Sequence, residues 1–197
     1  MLVLYFTIFL FIMMYLFNYD KNHNELFYVQ SSVDNKKYLV QNLQDKQTAA
    51  DTLAQIRRNL EQVVEHMRNN KKYQRDDRVR RLVEKFNPNN MMETEPDSKY
   101  TSFSVNKGEK IHMCLRSRDG QNKIEEMNTL MFVALHELAH IATKSVGHTK
   151  EFWDNFRFLL ERGIEIGVYT PVDYSKEPKS YCGIEVTDTP LNLRTNK

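Results

Sequence analysis

The sequence predicts an α+β fold, a short β-sheet laid over a central apolar helix, preceded by an N-terminal transmembrane helix. Three observations predict it. Residues 1–17 contain no charged side chain, and Thr7 carries their only non-aromatic hydroxyl. Apolar residues recur every three or four positions in several later stretches, which is the helical period. Between two of those stretches, residues 100–105 and 110–116 read as strands joined by a turn that contains Gly108.

In chain order, residues 1–19 are the expected anchor in a lipid bilayer. The apolar run sits at the short limit of the about 17–25 residues that cross a hydrocarbon core. A cleaved signal peptide is the rival reading, but no basic segment precedes the run and no small-residue cleavage site follows it. Lys21, Lys36 and Lys37 come after the anchor, so the expectation is a single-pass membrane protein with its remaining chain on the cytoplasmic side. Residues 20–45 are polar and broken in pattern, a juxtamembrane spacer.

Beyond the spacer comes one domain of ordinary size, residues 46–170, with an extended tail, residues 171–197, packed on it. Leu53, Ile56, Leu60, Val63, Val64 and Met67 mark an amphipathic helix. Its stripe lasts too few heptads for a coiled coil and reads as core. Residues 71–81 are the most basic stretch, continued by Leu82, Val83 and Phe86 at helical spacing. This reads as the solvated face of a docked helix ahead of an interface for phospholipid or nucleic acid. A net charge of +2 gives no general affinity for polyanions, so nucleic acid is not a favoured partner. Residues 110–116 are expected at the edge of the sheet, where an extended peptide can pair through main-chain hydrogen bonds. His112 in that strand reads as a packing residue. Phe152, Trp153, Phe156, Leu159 and Leu160 form the stripe of a last helix covering the central one.

The chemistry is concentrated in His136-Glu137-Leu138-Ala139-His140. On a helix, residues four apart lie one above the other, so two imidazoles can meet one metal ion while Glu137 borders the same cleft. Such a pattern predicts one Zn²⁺ per chain held by His136 and His140, with Glu137 as the catalytic general base that takes a proton from metal-bound water. Leu130, Met131, Ala134, Leu135, Leu138 and Ile141 make the helix strongly apolar, and ionisable groups on so buried an element need a reason. The bland alternative is a pair of core histidines bonded to backbone carbonyls. The third ligand is expected to be His148, because Gly147 can take the left-handed conformation that ends a helix and returns the chain. Glu151 and Glu161 are its rivals. Tyr174 and Tyr181 lie where a hydroxyl could reach the cleft, although tyrosines in tails usually pack.

Through His136-Glu137-Leu138-Ala139-His140 and then Gly147-His148-Thr149-Lys150-Glu151-Phe152-Trp153, the chain resembles the small zinc metallopeptidases of the SprT, WLM and YgjP-like families. The resemblance covers roughly residues 75–165. It implies a compact zincin-like fold and a peptidase with Glu137 as general base, acting on protein or peptide substrates and carried behind the anchor expected from residues 1–19. The rival from another class is an anchored binding or structural protein that keeps the fold around a structural zinc. Relatives acting on protein crosslinked to DNA often carry a zinc ribbon, which Cys114 and Cys182 alone cannot build. Two cysteines and no glycosylation acceptor agree with a reducing compartment, with a single Cys114–Cys182 bridge left open. Abundant Asn, Lys, Tyr, Phe and Met accompany AT-rich coding sequence, as in a large DNA virus or an AT-rich protist.

Overall fold

The computed structural model describes the backbone of residues 2–23 and 26–191, and the side chains of residues 5–15 and 26–191. Helix α1 spans Leu2–His23. The apolar run of 16 residues within it, 2–17, is about 24 Å long at 1.5 Å per residue, short of a hydrocarbon core of about 30 Å. Asn18, Asp20 and Lys21 then make the following turn polar. Among the described residues, no helix is long and apolar enough to cross a membrane. The expected transmembrane anchor, its bilayer partner and the single-pass placement with a cytoplasmic domain therefore do not hold; Met1 lies outside the described residues.

Strands β1 (Leu26–Gln30) and β2 (Lys37–Gln41) form an antiparallel hairpin within the stretch read as a spacer. Tyr38 and Val40 alternate inward from β2 into the core. Helix α2 (Lys46–Asn69) follows, with Leu53, Ile56, Leu60, Val63 and Met67 fully buried, as the stripe predicts. A short 3-10 turn at Lys71–Tyr73 leads to α3 (Asp77–Lys85). The Asp76 carboxylate caps α3 by accepting from the Arg78 amide. Val79 and Leu82 dock on the core, while Val83 is exposed.

The main sheet has three strands, β3 (Met91–Glu93), β4 (Phe103–Val105) and β5 (Lys110–Met113), in the order β3-β5-β4. The expected β4–β5 hairpin is present and antiparallel, but β5 lies in the centre and β4 at the edge. The difference comes from β3, which pairs parallel with β5 through Met91↔Ile111 and Glu93↔Met113. Three residues ending in a buried acid give no alternation to detect. Glu93 is nevertheless satisfied: it accepts from Arg116 Nε at 2.7 Å and from the Gln41 amide at 2.7 Å, and Arg116 also binds Asp45 at 2.6 Å. Gly108 closes the β4–β5 turn at φ +109°, where a Cβ would stand 2.6 Å from the Lys85 carbonyl oxygen.

Helices α4 (Met127–Ala142) and α5 (Lys150–Glu165) pack together beneath this sheet's edge strand, and the chain ends in a second hairpin, β6 (Lys179–Tyr181) and β7 (Ile184–Val186). Cys182 in its turn is bonded to Cys114 just after β5, so the bridge left open by the sequence is formed. The tail thus packs on the domain as far as Leu191; residues 192–197 lie outside the described residues.

Candidate metal centre

Helix α4 divides cleanly by face. Leu130, Met131, Ala134, Leu135, Leu138 and Ile141 are fully buried against the core. Phe132, Val133, His136, Glu137 and His140 line a cleft of about 650 Å³. Their spacing is that of one helical face. The His136 and His140 rings are 4.9 Å apart. Beyond Ala142 the chain turns, Gly147 takes φ +82°, and His148 comes back over the helix. Its Nε2 lies 3.0 Å from His136 Nε2, and its ring is 5.0 Å from that of His140. The three residues place ligand nitrogens within 4.8 Å of one another.

The returning turn is held from three sides. Lys107 Nζ donates to the carbonyls of Thr143 and Ser145, each at 2.7 Å, satisfying groups the helix end leaves unpaired. Arg81 Nε donates to the Ala142 carbonyl at 2.6 Å, so this member of the basic stretch is structural. Glu151 accepts from the amides of Lys144 and Ser145, both at 3.1 Å, and from the Ser145 hydroxyl at 2.8 Å. Those two amides, then the hydroxyl, hold its carboxyl down at about 2. Asn155 on α5 donates to the Thr143 hydroxyl at 2.8 Å, and that hydroxyl donates to the Ala139 carbonyl at 2.7 Å.

Glu151 is therefore engaged with backbone, and Glu161 is exposed beside Arg162 at 3.7 Å. Neither rival joins the imidazole cluster. His112 stacks on Phe103 at 4.4 Å, in keeping with a packing role. Trp153, expected in the core, is 44% exposed and lines the cleft 5.8 Å from the His148 ring. Tyr174 is buried against Phe132, whereas Tyr181 lines the cleft with its hydroxyl donating to the Cys114 carbonyl at 2.8 Å. Sequence reasoning missed Lys107, Arg81 and Ser104. Lys107 reaches Thr143 across 36 positions, and no local pattern signals such a contact.

Burial sets the site's protonation. His136 is pushed down to about 3, by burial first and then by His140 and His148. His140 goes to about 4, by burial and then by His148 and Lys107. Both are neutral at pH 7 and free to ligate. Burial pushes Glu137 up to about 7 against the lowering influence of Ser104, and its Oε2 is buried with no hydrogen-bond partner among the described residues. The donor set fits Zn²⁺: tetrahedral bonds of about 2.0–2.1 Å set ligand nitrogens about 3.3 Å apart. An orphaned carboxylate oxygen beside three convergent imidazoles is what a metal-bound water would satisfy.

The protein is thus an α+β domain in which a central helix carries two imidazoles and a buried glutamate, with a third imidazole returned to them by the following turn. A family model for the WLM domain matches residues 32–196, and the chain belongs to the WLM family. Over 172 residues the chain is 38% identical to an uncharacterized protein of Acanthamoeba polyphaga mimivirus, covering 85% of this chain and 86% of that protein. Over 98 residues it is 35% identical to an uncharacterized protein of Invertebrate iridescent virus 6, covering 49% of this chain and 53% of that one. A crystal structure of a Wss1 mutant from Saccharomyces cerevisiae shares the fold, with a TM-score of 0.51 at 21% identity over 65% of this chain and 87% of that one.

Proposed function

We propose that the chain is a zinc-dependent peptidase acting on protein or peptide substrates, with His136, His140 and His148 as ligands to one Zn²⁺ and Glu137 as general base. The observation that carries this reading is the unpartnered, buried Oε2 of Glu137, on the same cleft as three imidazoles whose nitrogens converge within 4.8 Å. Zinc bound there would polarise the scissile carbonyl and lower the pKa of a water to about 7.

The remaining steps belong to the chain. Edge strand β4 offers main-chain groups to an extended substrate, and its Ser104 shares the cleft with Glu137. Glu137 takes one proton from the water as its oxygen bonds to the carbonyl carbon. It then delivers that proton to the amide nitrogen as the C–N bond breaks, leaving a carboxylic acid and an amine, and the acid's remaining proton passes to the amine to give carboxylate and ammonium. Burial raises the Glu137 carboxyl in the metal-free site, which strengthens it as a base.

The test is cleavage of an unfolded protein substrate by zinc-loaded wild type and by Glu137→Gln. The variant keeps the three ligands and should bind zinc as wild type does, with cleavage reduced by about 10²-fold or more. Zinc bound without turnover by wild type, or substantial cleavage by Glu137→Gln, refutes the assignment.

A further inference from the structure

We infer that the Cys114–Cys182 bond is a redox latch on the cleft: closed, it holds the β6–β7 hairpin as one wall for the substrate, and its reduction by a low-molecular-weight thiol frees that wall while leaving the metal site in place. The latch stands on the fold, and its effect on substrate rests on the peptidase reading. Ile184, Glu185, Val186 and Asp188 are the share of the cleft lining that the hairpin and the residues after it supply. Among the described residues, β6 and β7 pair only with each other. Between Ser175 and Leu191, Tyr181 and Cys182 alone are buried, each 1% exposed.

Those two side chains meet the domain largely at one residue. Cys182 is bonded to Cys114, and the Tyr181 hydroxyl donates to the Cys114 carbonyl at 2.8 Å. The Ser102 hydroxyl donates to Tyr181 at 2.6 Å and accepts from the Cys114 amide at 2.9 Å, while the Cys182 amide donates to Glu125 at 3.0 Å. The covalent link joins positions 68 apart and keeps these few hydrogen bonds local; without it they must hold the hairpin alone. The segment is tethered at both ends by other contacts. Tyr174 is fully buried against Phe132, and Arg157 Nε on α5 donates to the Pro190 carbonyl at 2.6 Å. Loss of the middle attachment therefore loosens a strap between fixed ends and does not shed the tail. The three imidazoles do not share that attachment: His136 and His140 stand on α4, and Lys107, Arg81 and Glu151 hold the turn that returns His148.

The bond is also placed for exchange. Cys182 and Gly183 form the two-residue hairpin turn at φ +50° and +82°, and the first is left-handed backbone that a residue with a Cβ adopts at a cost. Gly183 and Ile184 beside it are exposed, so a local opening of the turn admits a thiolate to Cys182 Sγ. Attack there forms a mixed disulfide as the Cys114–Cys182 bond breaks, and Cys114 leaves as a thiolate that takes up a proton. The Arg116 carbonyl, 3.5 Å from Cys114 Sγ, can accept from the new S–H. A second reductant thiolate displaces Cys182, which is protonated in turn, so the chain gains two thiols and the two reductant thiols end as one disulfide.

The experiment exposes folded, zinc-loaded wild type to excess reduced glutathione without denaturant, beside a double variant, Cys114→Ser with Cys182→Ser, that cannot close the latch. Freed thiols are counted by alkylation and mass spectrometry, zinc by elemental analysis, and release of the hairpin by amide hydrogen exchange. Both cysteines should become alkylated, exchange at residues 179–186 should rise about tenfold or more while that of α4 is unchanged, and zinc should stay at about one per chain. KM for an unfolded protein substrate should rise about fivefold or more with kcat altered less than about twofold, and oxidised glutathione should restore it. The double variant should match the reduced wild type. A bond that resists glutathione, freed thiols with unchanged exchange or unchanged KM, or loss of zinc together with protection throughout the domain would each overturn the latch. If the oxidised wild type cleaves nothing, the peptidase reading falls, and the exchange measurement still decides whether the hairpin is released.

Discussion

Glu151→Gln separates a residue that binds the metal from one that holds a ligand in place. The Glu151 carboxylate accepts three hydrogen bonds from Lys144 and Ser145, at 2.8 to 3.1 Å, and so fixes the turn that returns His148. Gln keeps one carbonyl acceptor but replaces the other oxygen with a donor, which cannot accept from Ser145. Hydrogen bonds to charged groups contribute about 1.5–3 kcal/mol each. Glu151 is 38% exposed, so water compensates much of the loss, and we expect a net cost of about 1–1.5 kcal/mol. That energy acts on the population of the correctly folded turn, and apparent zinc affinity falls in proportion to that population, by up to about five- to twelvefold. The assay is competition with a chelator of known zinc affinity at pH 7, with His148→Ala as the reference for a lost ligand. A loss as large as that of His148→Ala would make Glu151 a ligand. Unchanged affinity would mean that the turn holds without its carboxylate. Either result refutes the reasoning. Lys107→Met is a useful companion because it frees the Thr143 and Ser145 carbonyls while removing a positive charge that acts on His140, two effects of opposite sign on zinc binding.

Buried ionisable groups give two further expected outcomes. In metal-free protein, His136 and His140 titrate well below their ordinary 6.5, so between that value and about 3 to 4 the unfolded chain takes protons that the fold refuses. The histidines' contribution is therefore complete above pH 6.5 and is lost as pH falls, and Glu137, whose raised carboxyl favours the fold as pH falls from about 7, offsets only part of it because two histidines oppose one carboxyl; the urea midpoint of metal-free protein should be lower at pH 5 than at pH 7.5, and equal midpoints would contradict it. Arg116→Met leaves Glu93, fully buried, without its cation, and should cost about 3–5 kcal/mol in urea unfolding. A cost under about 1 kcal/mol would show that Gln41 and a proton suffice for Glu93.

The parts of the fold legible in the sequence are those whose signal is periodic. Helices α2, α4 and α5 each bury one regular stripe, and the β4–β5 hairpin announces itself through the turn at Gly108. Strand β3 escaped because its inward residue Glu93 is acidic, and only the distant Arg116 makes that burial tolerable. Hairpin β1–β2 escaped because its two short strands are set within a polar stretch, residues 18–45, and of their apolar residues only Tyr38 and Val40 are buried. The apolar N-terminal run gave a signal of the right kind and insufficient length. In the candidate site, the spacing of His136, Glu137 and His140 was readable because a helix converts sequence distance directly into geometry. His148 was readable through Gly147. Which of His148, Glu151 and Glu161 turns inward was not, since that depends on Lys107 and Arg81, supplied by other elements.

The same burial that depresses His136 and His140 raises Glu137, and both displacements act against the metal-free fold. A hydrophobic helix carrying three groups away from their ordinary protonation is a poor solution for stability alone. Each displacement is nonetheless the one that water activation requires: imidazoles with free lone pairs, and a carboxyl near neutrality with one oxygen unpartnered. If the histidines were only core residues, their nitrogens should be bonded to backbone carbonyls. Instead His148 Nε2 and His136 Nε2 face each other at 3.0 Å, across a cleft whose other wall is an unpaired strand edge. A ring-to-ring hydrogen bond accounts for that one contact but not for the approach of His140 to both rings, whereas a shared cation accounts for all three.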